Sequence, residues 1–264
     1  MPILAALLAA LAAPAPMPST PHWRVDWGEP RCMLIREGGA SDPYLAIRYV
    51  PGERRPEIWI IDPRWKARSF GNTGAIRLLL RPDAGEPVGR FLFLPVGKTG
   101  RYALAAEDGG EDFLDRFSRA NAVGLQRKDG EILSIATPGA AKAVAAVRAC
   151  EDNMLRAWGM DPVVYRSLRE RPKPINVVQW LAPSDYPDSA VREGVSGASV
   201  TRLNVTAEGK VTSCAVVVPS GSPDLDKATC SGALRRGRYE PAVAADGRKV
   251  ASLVIFVVRW QIFG

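Results

Sequence analysis

The chain is 264 residues long, with 47% hydrophobic and 24% charged side chains, the make-up of an ordinary folded protein and not of a disordered or fibrous one. Its 35 Lys and Arg against 28 Asp and Glu give a net charge of +7, but the excess is spread as +4 before Pro172 and +3 from there on. Neither part is the clustered basic surface that binds nucleic acid by releasing counterions, and the length suits two modest domains better than one.

Taken in chain order, residues 1–21 have no acidic or basic side chain, and 3–13 are Ile, Leu and Ala, followed by Pro14, Pro16 and Pro18. This pattern predicts a signal peptide, with small residues around Ala10-Leu11-Ala12 for cleavage. The run is far short of the roughly 20 apolar residues that span a membrane. Export to the periplasm is the expectation. Because the n-region has only the terminal amine as its positive charge, a start farther upstream would leave room for an inner-membrane tether.

From 22 to 168 the pattern is short apolar or alternating runs at 32–36, 44–50, 57–61, 75–80, 90–96 and 132–136, separated by Gly, Pro and Asp turns. These predict a mainly antiparallel β domain. A short helix is expected over 112–121. A stronger one is expected over 139–158, where Val144, Val147, Cys150, Met154, Leu155 and Trp158 fall on one face and Gly159 follows as the stop. Residues 169–179, charged and proline-punctuated at the start, are expected to be a linker.

The four cysteines, Cys32, Cys150, Cys214 and Cys230, form an even set with no Cys-x-x-Cys pair. In an exported protein this points to disulfides rather than a metal site. Of three connectivities, Cys32–Cys150 with Cys214–Cys230 keeps each bridge on one side of the linker.

Residues 180–264 predict a ββαβ order: strands over 198–206 and 211–218 joined by a turn at Glu208-Gly209, then a helix from about 223 to 236 with Ser222 as N-cap and Pro223 at its first position. A long strand over 249–260 ends the chain. Arg235, Arg236 and Arg238 suit a helix C-terminus, where cations complement the dipole. The fold class expected is therefore α+β.

Catalytic chemistry finds no foothold. The one histidine is His22, next to the leader, which leaves no His-based triad, His/Cys pair or metal cluster. Gly97-Lys98-Thr99 lacks the upstream glycine of a phosphate loop. No catalytic residue, metal, cofactor or small-molecule substrate is inferred.

The landmarks of the last third lie in a telling order: Tyr186-Pro187, then Glu208-Gly209-Lys210-Val211 at the hairpin, Ser220-Gly221 with Leu225-Asp226 at the helix start, and Tyr239-x-Pro241-Ala242 after it. In this order and spacing the segment resembles the C-terminal domain of the TonB energy-transducer family. The part before it resembles the N-terminal region of some alphaproteobacterial TonB-like proteins. The resemblance implies a periplasmic, non-catalytic module that captures an extended peptide of an outer-membrane TonB-dependent transporter by adding it to a sheet edge.

On that model the partner-binding residues are Tyr186, Pro187, Val254, Phe256, Val258 and Trp260. Departures exist. The family's Gln-Pro-x-Tyr-Pro region is here Pro183-Ser184-Asp185-Tyr186-Pro187. The sequence also shows neither the membrane-spanning helix nor the long proline-rich spacer of an energy transducer. The alternative expectation is an envelope adaptor, or a homodimer paired through the last strand.

Overall fold

The computed structural model describes residues 22–28, 31–39, 41–51, 56–66, 76–83, 91–96, 100–106, 112–127 and 130–262. The expected signal peptide and the Gly97-Lys98-Thr99 turn lie outside the described residues.

The N-terminal half contains strands β1 (His22–Gly28), β2 (Arg31–Glu37), β3 (Tyr44–Tyr49), β4 (Glu57–Ile61), β5 (Arg77–Arg81), β6 (Phe91–Pro95) and β7 (Tyr102–Ala106). Helix α1 (Phe113–Arg119) precedes β8 (Ala122–Arg127) and β9 (Gly130–Ala136), and helices α2 (Ala140–Ala157) and α3 (Pro162–Arg166) follow. The strands make a six-stranded sheet in the order β1-β2-β3-β4-β7-β6 and a three-stranded sheet β5-β8-β9. All the pairings are antiparallel.

Helix α2 closes this core because its apolar residues recur every three or four positions. Val144, Val147, Cys150 and Leu155 are buried together with Leu34, Leu45, Ile47 and Ile58 of the sheet. Full burial of each such side chain contributes about 1.5–3 kcal/mol. Gly159, at φ +76°, stops the helix. Its N–H donates to the Arg156 carbonyl at 2.9 Å and that of Met160 to Leu155 at 2.8 Å, a Schellman termination that a left-handed glycine makes cheap. The Cys32–Cys150 disulfide joins β2 to α2 across 118 positions of sequence.

Among the described residues, three charged groups are buried in this half, Arg36, Asp62 and Glu151. Arg36 on β2 donates from Nε to the Ala136 carbonyl at 2.8 Å and from Nη1 to that of Pro43 at 3.1 Å, which ties the large sheet to the end of β9. Glu151, next to the disulfide, is buried. Desolvation raises its pKa above the ordinary carboxylate value, while the Tyr49 hydroxyl and then Arg166 and Arg171 oppose the rise. Its Oε1 has no hydrogen-bond partner.

The C-terminal half opens with β10 (Lys173–Pro174) and two 3-10 turns (Val177–Gln179 and Pro183–Asp185). Helix α4 (Asp188–Arg192) leads to β11 (Gly197–Val205), β12 (Val211–Val218), helix α5 (Pro223–Arg236), β13 (Tyr239–Glu240), β14 (Ala242–Val243), β15 (Lys249–Val250) and β16 (Ser252–Trp260). The expected long final strand is thus two pieces, broken at Ala251. Ser222 does hold the N-cap position of α5, but its side chain makes no capping bond.

The sheet order is β12-β11-β16, antiparallel throughout. The Cys214–Cys230 disulfide fastens α5 to β12. Gly209 makes the β11–β12 turn at φ +79°, and a Cβ there would fall 1.8 Å from the Tyr239 carbonyl oxygen. The Tyr239 N–H donates to the Gly209 carbonyl at 2.8 Å. The hairpin glycine and Tyr239, far apart in sequence, are therefore one contact.

The segment expected to be a linker is hydrogen-bonded along the C-terminal half. Lys173–Pro174 pairs with Tyr239–Glu240, and Glu170 bridges Val243. The Ile175 N–H donates to the Arg238 carbonyl at 2.8 Å. The charged, proline-punctuated start of the segment does not prevent this, because the bonds are made by the backbone.

The two halves also share packing. Leu253 of β16 belongs to the same buried cluster as the N-terminal core, and Val217 and Ile255 pack against that cluster. The guanidinium of Arg202 lies over the Trp158 ring at 5.1 Å. Among the described residues no helix is long and apolar enough to cross a membrane.

Candidate functional site

Strand β16 pairs with β11 from Ser252 to Trp260 without a register break and is an edge of its sheet among the described residues. In an antiparallel strand, the N–H and C=O of one residue point to the same side and alternate residue by residue. The phase is fixed by two side-chain bonds. The Thr201 hydroxyl donates to the Phe256 carbonyl at 3.0 Å, so Phe256 turns its peptide groups toward β11. On the other side of β11, the Thr212 hydroxyl donates to the Asn204 carbonyl at 3.5 Å, so even-numbered β11 residues face β12. It follows that Val254, Phe256, Val258 and Trp260 bond inward, while Leu253, Ile255, Val257 and Arg259 turn theirs to the open edge.

The side chains of the nominated set build the core. Val254 and Phe256 pack with Trp180, Leu203 and Tyr239, and Trp260 and Val258 pack with Ala190, Leu225 and Tyr186. Trp180 is buried, its Nε1 donates to the Ile175 carbonyl at 2.9 Å, and its ring meets those of Tyr239 and Phe256 at 5.0 and 5.1 Å. Burial of Tyr239 pushes its pKa up. Trp260 Nε1 donates to the Thr229 hydroxyl at 2.9 Å, which donates in turn to the Leu225 carbonyl at 2.9 Å. An apolar pattern on both faces of one strand is explained by cover on both faces: α5 with the aromatic cluster on one, the N-terminal half on the other.

Tyr186 stands edge-on to Trp260 with centroids 5.1 Å apart, and its hydroxyl donates to the Val195 carbonyl at 2.7 Å. Its side chain therefore packs within the domain. The turn before it is held by Asp185, which accepts from the Ala182 N–H at 2.7 Å and pairs with Arg235 at 3.1 Å and with Arg236. Arg236 also donates from Nε to the Trp180 carbonyl at 2.8 Å. Two of the three arginines expected to complement the dipole at the helix C-terminus thus also anchor the Pro183–Pro187 segment to α5. Nothing in the spacing of Asp185 and Arg236 along the sequence announces this pairing.

The family model described as Gram-negative bacterial TonB protein C-terminal matches residues 182–262. These residues belong to the TonB C-terminal family. A curated relative, Protein TonB of Pseudomonas putida, is 35% identical over 100 residues, which are 38% of this chain and 35% of that protein. The chain therefore spans about a third of the length of the relative it matches. A solved structure, the solution NMR structure of the Pseudomonas aeruginosa TonB CTD, is 22% identical and covers 36% of this chain and 90% of its own, with a TM-score of 0.29. The assignment rests on the two sequence matches. TonB-family proteins are not enzymes, in keeping with a sequence that offers no catalytic constellation.

Proposed function

We propose that this chain is a periplasmic binding protein of TonB type whose C-terminal sheet captures an extended segment of an outer-membrane TonB-dependent transporter as an added strand beside β16. The open edge carries the reading: the peptide groups of Leu253, Ile255, Val257 and Arg259 face outward on a strand most of whose side chains are already committed to the core. Affinity then comes from main-chain bonds, with side chains of the captured segment selecting the partner. This moves the contact from the side chains of Val254, Phe256, Val258 and Trp260, expected from the alternation, to the backbone of their neighbours. Tyr186 and Pro187 act by shaping the end of the edge at Trp260. The leader-like apolar run of residues 3–13 and the two disulfides support the periplasmic location.

The test is a titration with a synthetic peptide from the N-terminal segment of a TonB-dependent transporter, read by amide NMR. Capture predicts the largest shifts at residues 252–260. Val257→Pro removes one outward donor and spares the ladder to β11, as proline is tolerated on the solvent side of an edge, and should weaken binding roughly tenfold. Unmoved amides across 252–260 at saturating peptide would overturn the proposal.

A further inference from the structure

The N-terminal half holds a hollow that strand capture leaves unused, at one end of the six-stranded sheet and on the face turned away from α2. Cys32, Leu34 and Arg36 of β2 point to the helix side, where Cys32 is bonded to Cys150 and Arg36 reaches the end of β9. Glu37 therefore emerges on the other face. Leu45 stands opposite Arg36, so its neighbour Tyr44 shares the face of Glu37. Tyr44 opposes Ile61 in the β3–β4 ladder, and Ile61 opposes Ala103 of β7, which keeps the same face across four strands. Arg101, two residues before Ala103, joins it by the period of two. Glu37, Tyr44, Ile61 and Arg101, with Asp42 and Pro63, line a cavity of about 320 Å³.

We propose that this cavity binds a small zwitterion with an apolar side chain, a free amino acid or a dipeptide, its ammonium held among Glu37, Asp42 and the Tyr44 hydroxyl and its carboxylate by Arg101. The charges are sorted along the sheet. In the order β2-β3-β4-β7, the two carboxylates stand at the β2–β3 end and the guanidinium at the β7 end. At the backbone these ends are three strand spacings apart, about 14 Å, with Ile61, Pro63 and the Tyr44 ring between them. Once side chains have reached in from both ends, the gap suits one or two residues at about 3.5 Å each. An apolar wall on which a few polar groups converge is the common form of a small-ligand site, whose volume starts at about 300 Å³.

The acidic end is held in advance. Asp42 Oδ2 accepts from the Gly39 N–H at 3.0 Å, and the Asp42 N–H donates to the Gly39 carbonyl at 2.9 Å. A Cβ on Gly38 would fall 2.5 Å from Asp42 Oδ2 and 2.6 Å from its Cβ, so glycine at this position is what lets the carboxylate sit in the loop. Glu37 is steadied by Arg24, whose Nη2 donates to Oε1 at 2.9 Å, and by His22, 3.5 Å from Oε2. A carboxylate offers about four acceptor positions, so both groups keep capacity for an ammonium with its three donors. Desolvation raises the pKa of Tyr44, which keeps its hydroxyl neutral and able to accept as well. Arg101 is exposed, and the planar fork of a guanidinium grips a carboxylate through two parallel bonds.

Amide NMR on the full chain, titrated with L-phenylalanine and separately with L-leucyl-L-phenylalanine, tests this. The expected result is saturable shifts at residues 37–39, 42, 44, 61 and 101, with a dissociation constant of about 0.1–1 mM for the tighter of the two, which names amino acid or peptide as the source. The N-acetylated form of that ligand, which lacks the ammonium, and its C-terminal amide, which lacks the carboxylate, should each bind about tenfold more weakly. Arg101→Gln should weaken the parent ligand about tenfold and leave its amide within roughly twofold, because only the carboxylate end has changed. Unmoved amides at about 10 mM of both ligands, blocked forms that bind as well as the parent, or an Arg101→Gln variant that binds as wild type would each overturn the proposal. None of these readouts involves β16, so failure here and failure of transporter-peptide capture are separate results.

Discussion

The N-terminal half and the C-terminal half spend the same kinds of residue to opposite ends. In the first, a six-stranded and a three-stranded sheet with α2 make a large continuous core, and every described edge carries a charge or a proline. In the second, three strands and one long helix bury a small aromatic core and leave two edges, one of them chargeless. The lesson is that a small sheet can take on the proposed binding role when its neighbour supplies stability. Leu253, Ile255 and Arg202 rest on that neighbour, so the last strand is backed by the N-terminal half while its edge stays open.

The comparison breaks most visibly at the disulfides. Replacing Cys32 and Cys150 by Ala should cost about 5 kcal/mol, because the bridge closes a loop of more than a hundred residues, against about 3 kcal/mol for Cys214 and Cys230. The two denaturation midpoints check this. The account expects loss of the first bridge to lower the whole transition, and loss of the second to act mainly on probes in α5 and β12.

Next in size is Trp260→Phe, which keeps the ring but removes the indole donor to Thr229 inside the core. A cost of about 1–2 kcal/mol is expected, measured by urea unfolding, with Tyr186→Phe costing less because its hydroxyl lies nearer the surface. Arg202→Met then tests the contact between the halves. Losing the cation–π contact with Trp158 should cost about 1 kcal/mol and raise amide exchange in β11 without changing α2. If α2 and β11 respond equally, the halves are one cooperative unit.

Glu151 gives the subtlest effect, read as a pH trend. Its carboxyl is raised above the ordinary value by burial, so its contribution to stability is fully present below the ordinary carboxylate value and is lost as pH rises through the raised value. Glu151→Gln should therefore be more stable than wild type near neutrality, with the gap in melting temperature closing on acidification. A gap independent of pH would assign the effect to packing instead.

Much of this architecture was legible in the residues. The alternation at Arg31–Glu37, Tyr44–Tyr49 and Glu57–Ile61, the apolar face of α2, the cysteine pairing and the ββαβ order all appear as expected. Three strands of the N-terminal half escaped. Tyr102–Ala106 is rich in alanine, a poor strand former, yet it sits between β4 and β6 with Ala103 and Ala106 buried, where burial overrides propensity. Ala122–Arg127 is interrupted by Gly124, whose missing side chain makes room for Arg81, 3.3 Å from where a Cβ would be. In His22–Gly28 the alternation of Trp23, Val25 and Trp27 was present but adjoined the leader.

At the candidate site, the sequence showed which strand matters and not which of its groups are free. Side-chain periodicity gives the faces of β16, whereas the direction of its peptide groups depends on registration with Thr201 and, through β11, with β12. A pattern of residue types carries no record of that phase.

Amide hydrogen exchange along β16 in the free protein tests the central claim most directly. An open edge predicts alternation: slow exchange at Val254, Phe256, Val258 and Trp260, whose N–H groups are bonded to β11, and fast exchange at Ile255, Val257 and Arg259. Uniform protection through all seven would mean that the edge is already occupied, and would contradict the account.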